Sequence, residues 1–211
     1  MADYFSNIPA AKIRTILLAW ENNDYLLCKL EIPKPELSST PHEAAVLIPL
    51  YFYNGFWNLL FTRRNQGLND HSGQVSFPGG RSDPGDKDKN ATALRETFEE
   101  IGIAFKDVDV LGKLPDILTI TNFNVTPVVG VIPWPYPLNI AEHEVSRVFS
   151  VPLQWLADKN NFVIKEKYYP GKADSVSVIY YHEYEGEILW GVTARIVATF
   201  IAILSIDYNH K

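Results

Sequence analysis

One cysteine, Cys28, stands alone in 211 residues. An internal disulfide is therefore excluded, and a reducing compartment is the expectation. A small buried side chain is the ordinary role for such a residue, ahead of a nucleophile. Long apolar runs are also missing. The longest, Ile196 to Leu204, falls well short of the roughly 20 residues that span a bilayer, so a soluble protein is expected. The beginning of the chain lacks a basic stretch followed by an apolar core and a cleavage site. Its last residues, Tyr208-Asn209-His210-Lys211, carry no peroxisomal tripeptide. Cytoplasm is the expected location. Positive charge is scarce: 19 Lys and Arg against 25 Asp and Glu give a net charge of −6, which leaves no global basic footprint for nucleic acid. Repeats and low-complexity segments are absent.

What is present suffices for a core. Hydrophobic residues make up 46% and aromatics 13%, a supply that fits one domain with decorations. Ile13, Ile16, Leu17 and Trp20 have helical spacing, and Pro33 to Pro41 is rich in chain breakers. We expect residues 1–42 to be a helix and linker packing on the core, as a cap or a homodimer contact, and 43–211 to be the main domain. Ala44 to Tyr53 and Trp57 to Thr62 read as strands joined through Asn54-Gly55, a hairpin turn signal. Val108 to Leu114, Asp116 to Thr121 and Val125 to Ile132 read as further strands. Ile140 to Val148, with Glu142, His143 and Glu144, reads as a short helix or loop. Phe162 to Tyr169 and Ser175 to Tyr184 form an expected hairpin, and a last helix runs to about Ile206.

The stretch between Leu59 and Ile103 carries the chemistry. At about 100° per residue, Glu96, Glu99 and Glu100 fall within roughly a 100° arc, while Ala91, Leu94, Phe98 and Ile101 gather opposite as the expected packing face. Asn90 is the expected N-cap and Gly102 the C-terminal stop. Like charges one turn apart destabilise a helix, and Arg95, which reaches Glu99 at i,i+4, is not expected to serve all three of these glutamates. A hard divalent cation such as Mg²⁺ or Mn²⁺ can. The alternative is a solvated acidic face.

The residues before the helix decide between these. Phe77-Pro78-Gly79-Gly80, the acidic loop and the helix resemble the Nudix box: Gly, five residues, Glu, seven residues, then Arg-Glu-apolar-x-Glu-Glu-x-Gly-apolar. Gly80, Asp86, Arg95, Glu96, Glu99, Glu100, Gly102 and Ile103 occupy matching places. Asp86 stands in place of Glu, eight residues rather than seven separate it from Arg95, and Thr97 replaces an apolar residue. The match assigns no role to Asp86. Upstream, Leu59-Leu60-Phe61-Thr62-Arg63-Arg64, Leu68, His71 and Gly73-Gln74-Val75 resemble the extra motif of the coenzyme A pyrophosphatase subgroup. Trp190 to Ile196 also resembles that subgroup's ending.

The resemblance implies an α/β (α+β) Nudix fold, a mixed sheet sandwiched between helices. It also implies metal-dependent hydrolysis of coenzyme A or its derivatives to 3′,5′-ADP and 4′-phosphopantetheine. Glu96 and Glu100 are then the primary metal ligands, with Glu99 sharing a second ion and a backbone carbonyl near Gly80 completing the shell. Arg95 orients Glu99 or a neighbouring acid. A carboxylate touching metal is a weakened base, so a loop acid, Glu144 before Glu142, is the candidate base and Glu99 the alternative, with Glu96 catalytic through the metal. Ordinary surface acids remain the other reading of that loop. Arg63 and Arg64 suit phosphate recognition, the 3′-phosphate included, although neighbouring strand residues face opposite ways. His71 binds phosphate or water, or positions its loop. Two other functions stay open: hydrolysis of another nucleoside diphosphate derivative, such as ADP-ribose or a dinucleotide, and a non-catalytic Nudix-fold binding module. The latter usually lacks the acids, which are present here.

Overall fold

The computed structural model describes residues 5, 7–21, 40–65, 73–168 and 175–208. Cys28, Leu68, His71 and most of the 33–41 connection lie outside them. Helix α1 (Ala10–Glu21) buries Ile13, Ile16, Leu17 and Trp20, a stripe with the spacing read from sequence. Burial of such side chains stabilises by roughly 1.5–3 kcal/mol each. Arg14 at its start donates to the Val110 carbonyl at 2.7 Å, and Glu21 at its end accepts from the Lys113 N–H at 2.6 Å.

The sheet begins with β1 (His42–Tyr53) and β2 (Phe56–Arg64), an antiparallel hairpin. Asn54 and Gly55 turn it with φ of 50° and 84°, the geometry that matches strand twist. Strands β3 (Val75–Ser76) and β4 (Gly79–Arg81) follow and pair with β2 and β1. After helix α2 (Lys89–Ile101) come β5 (Asp109–Lys113), β6 (Ile117–Leu118) and β7 (Phe123–Val131). β7 runs parallel to β1 over nine residue pairs, while β5 and β6 meet β7 antiparallel. The result is a mixed sheet with helices on both sides, as expected.

The reading of residues 140–148 needs correcting. Residues 145–148 are not helix or loop but the start of β8 (Val145–Pro152), antiparallel to β2. Phe149 and Val151, two residues apart, are buried in one cluster, as strand pleating dictates. Helix α3 (Leu153–Leu156) follows. Strands β9 (Phe162–Lys167) and β10 (Val176–Tyr181) form a separate antiparallel pair, and α4 (Gly191–Tyr208) closes the fold.

Alternation along β2 divides the interior. Leu59 and Phe61 join the large cluster under α1 and α4, whereas Leu60 joins Tyr51, Ile101 and Ile103 at the end of α2. Continuing that alternation sends Arg63 to the α4 side and Arg64 to the α2 side. Among the described residues no helix is long and apolar enough to cross a membrane.

Candidate active site

Helix α2 is fixed at both ends. Its N-cap is Asp88 rather than Asn90: the Asp88 carboxylate accepts the Ala91 N–H at 2.9 Å. Gly102 ends the helix with φ 76° and returns its N–H to the Phe98 carbonyl. The packed face also differs from the expected one. Thr92, Ala93, Thr97, Glu100 and Ile101 are buried, while Phe98 is 52% exposed against the edge of Phe105. Small residues decide this, because Ala93 lets the helix approach Ala45, Leu47 and Val128 closely. Thr97, where the family pattern has an apolar residue, satisfies its buried hydroxyl on the Ala93 carbonyl at 2.6 Å.

The turn that places Glu100 against the sheet organises two charge networks. In the first, Arg95 donates five hydrogen bonds: two to Asp86 at 3.0 Å each, one to Glu96 and one to Glu99 at 2.9 Å each, and one to the Arg81 carbonyl at 3.0 Å. Asp86 also accepts from Thr92 Oγ1 and the Asp83 N–H, each at 2.9 Å. Hydrogen bonding by Arg95 holds the Asp86 carboxyl well below the usual range. The turn from Asp83 to Asp86 is closed by the Asp86 N–H on the Asp83 carbonyl, and despite the residue added between Asp86 and Arg95 the shorter acid meets the arginine. Sequence matching missed this role; the bidentate match of guanidinium and carboxylate was the available signal.

The second network is incomplete. Glu100 is buried, its Oε2 has no hydrogen-bond partner, and its Oε1 lies 4.0 Å from Arg64 Nη1. Burial pushes its carboxyl up to about 8, with Glu96 and Glu144 adding repulsion and Arg64 opposing. Burial also raises Glu96, against the pull of Arg95. Glu99 lies outermost, with its side chain 53% exposed. At Gly80 an added Cβ would lie 2.5–2.7 Å from the Glu96 carboxylate, so this backbone forms the cradle on which Glu96 rests.

Residues 142–144 form a turn before β8. Glu144 is half-exposed, with His143 Nε2 3.3 Å from its Oε1, and its charge is felt at both Glu96 and Glu100. The structure thus brings Glu96, Glu100, Glu144, Gly80 and Arg64 together, with Glu99 and Arg95 at the border. Arg63 is not among them. It faces the α4 side and shares the buried Glu187 carboxylate with Arg147, at 3.3 and 3.0 Å. Strand alternation is the cause.

Among the described residues no three acidic, His or Cys side chains already stand in a cation-holding group, since Arg95 engages Glu96 and Glu99. The chemistry nevertheless fits a hard divalent cation. A buried carboxylate with an unpartnered oxygen, facing two more carboxylates, is relieved by a proton or by such an ion.

A Nudix-domain family model matches residues 41–170. The chain belongs to the Nudix family and is a hydrolase of pyrophosphate bonds in nucleoside diphosphate derivatives, a class that generally needs a divalent metal ion. Among its relatives are proteins described as uncharacterized Nudix hydrolase NudL, from Escherichia coli O139:H28 and Shigella flexneri. Each is 37% identical over 177 residues, covering 82% of this chain and 90% of the relative. A NUDIX hydrolase structure from Alicyclobacillus acidocaldarius is 19% identical, with a TM-score of 0.49 over 57% of this chain and 83% of that one.

Proposed function

We propose that the protein hydrolyses the diphosphate of coenzyme A or its derivatives, releasing 3′,5′-ADP and 4′-phosphopantetheine or its acyl form. The observation that carries this reading is Arg64. It belongs to the stretch that resembles the coenzyme A subgroup, its Nε has no partner, and it lies 4.0 Å from the buried Glu100. A guanidinium beside unneutralised carboxylates is suited to a phosphate oxygen.

Glu96 and Glu100 would hold Mg²⁺ or Mn²⁺, with Glu99 sharing a second ion and the Gly80 carbonyl as a further oxygen donor. When bound, the cation supplies stabilisation of phosphoryl charge and a lowered pKa for water. Arg64 holds the diphosphate over α2. Glu144 accepts a proton from the attacking water, whose oxygen bonds to phosphorus as the bridging P–O bond breaks. The electron pair leaves on the departing phosphate. Arg95 keeps Glu96 and Glu99 in place and does not touch substrate. Residues 43–211 form the hydrolase unit, and helix α1 caps it.

Product analysis tests the reading. Coenzyme A with Mg²⁺ or Mn²⁺ should give the two products by mass spectrometry. Intact coenzyme A alongside cleaved ADP-ribose or dinucleotide would move the assignment to another nucleoside diphosphate derivative. No cleavage of any of these would overturn the coenzyme A reading.

A further inference from the structure

The loop that carries Glu144 is fastened to both elements it must serve. At one end the Asn139 N–H donates to the Ile101 carbonyl at 3.0 Å and the Ala141 N–H to the Glu100 carbonyl at 2.9 Å. Both acceptors belong to the last turn of α2, whose carbonyls have no partner within the helix. Inside the loop, the N–H groups of Glu144 and Val145 close on the Ala141 carbonyl. At the other end the loop meets β2 just past Arg64. There the Asn65 N–H donates to the Glu144 carbonyl at 2.7 Å, and Asn65 Nδ2 donates to the Glu142 carbonyl at 2.7 Å.

The strand pairing is irregular at this point. Arg63 opposes Arg147 but Arg64 opposes Val145, so Ser146 is an extra residue. Its hydroxyl donates to the carbonyls of Arg63 and Arg64 at 3.1 and 3.4 Å. Bulges of this kind re-aim side chains beside active sites. Most of these ties are backbone to backbone. The Asn65 amide is a side-chain tie to the acid loop itself, and substitution can remove it.

We propose that Asn65 is a positioning residue, whose carboxamide sets the reach of Glu144 toward Glu96 and Glu100. This rests on the role of Glu144 as proton acceptor. An amide is required because the Glu142 carbonyl needs a donor, which neither alanine nor aspartate offers. The Asn65 N–H bond to Glu144 survives both substitutions, so the strand end stays paired while the turn two residues along loosens.

Asn65→Ala and Asn65→Asp should each lower kcat roughly tenfold, the scale of a small misplacement at a reacting centre. KM and Tm should hold, and amide exchange at 142–145 should quicken. In a Glu144→Gln background, Asn65→Ala should cost less than twofold, because the group it positions is already gone. A repeated tenfold loss there, or no loss in the wild-type background, would overturn the proposal. If the alanine variant fails to fold, the isosteric aspartate decides by the same ratios. The rates are measured on whichever nucleoside diphosphate derivative is cleaved. Failure of the coenzyme A reading therefore shows in the choice of substrate, and failure of the Asn65 role shows in the ratios.

Discussion

Two arginines flank the carboxylates of α2 and do opposite work. Arg95 uses all its donor directions on Asp86, Glu96, Glu99 and the Arg81 carbonyl. Arg64 stands 4.0 Å from Glu100 with its Nε unpartnered. The first network is closed, so it fixes where things are. The second is open, so it retains the electrostatic imbalance that a cation and a diphosphate can relieve. A guanidinium's sequence neighbours do not tell these apart; its remaining donors do.

The contrast can be broken by experiment. The largest effect belongs to the carboxylates: Glu96→Gln and Glu100→Gln should each lower kcat by about 10² or more while circular dichroism stays native. Unchanged rates in both would remove the metal assignment. Next comes the pair on β2. Arg64→Ala should raise KM for the cleaved substrate roughly tenfold, the worth of one charge-assisted contact. Arg63→Ala should change it less than threefold, and a larger effect from Arg63 would reverse the division of labour.

The smallest effect is on stability and runs the other way. Glu100 holds its proton up to about pH 8 in the fold, against about 4.3 in an unfolded chain. The native state therefore binds more protons between those values. Its stability from this group is complete below pH 4 and drains away as pH rises through 8. Without divalent cation, Glu100→Gln should melt roughly 3 °C or more above the wild type at pH 8, with the gap closing at pH 4. A gap of the same size at both pH values would show that burial of charge is not its origin.

Much of this was readable from the chain. The hairpin at Asn54-Gly55, the stripe of α1, the stop at Gly102 and the convergence of Glu96 with Glu100 all depend on local pattern. What escaped depends on contacts between distant segments. Asp88 and Asn90 are both good caps, and only the reach of Asp88 to Ala91 chooses between them. The largest apolar residues of α2 point to one packing face, yet the close approach of β1 favours Ala93 and Thr97. Asp86 is one residue too far from Arg95 for the family spacing, and only the folded loop shows that the two meet. Residues 140–148 read as a short helix or loop; 142–144 are a turn, and pairing with β2 imposes a strand directly after them.

Gly80 offers the proposed metal shell only a backbone carbonyl, yet its missing side chain matters as well. Alanine is the mildest replacement at most surface positions, but at this one its methyl would trespass on the Glu96 carboxylate. One carbon gained at the floor of the cleft would displace a proposed metal ligand without altering a single charge.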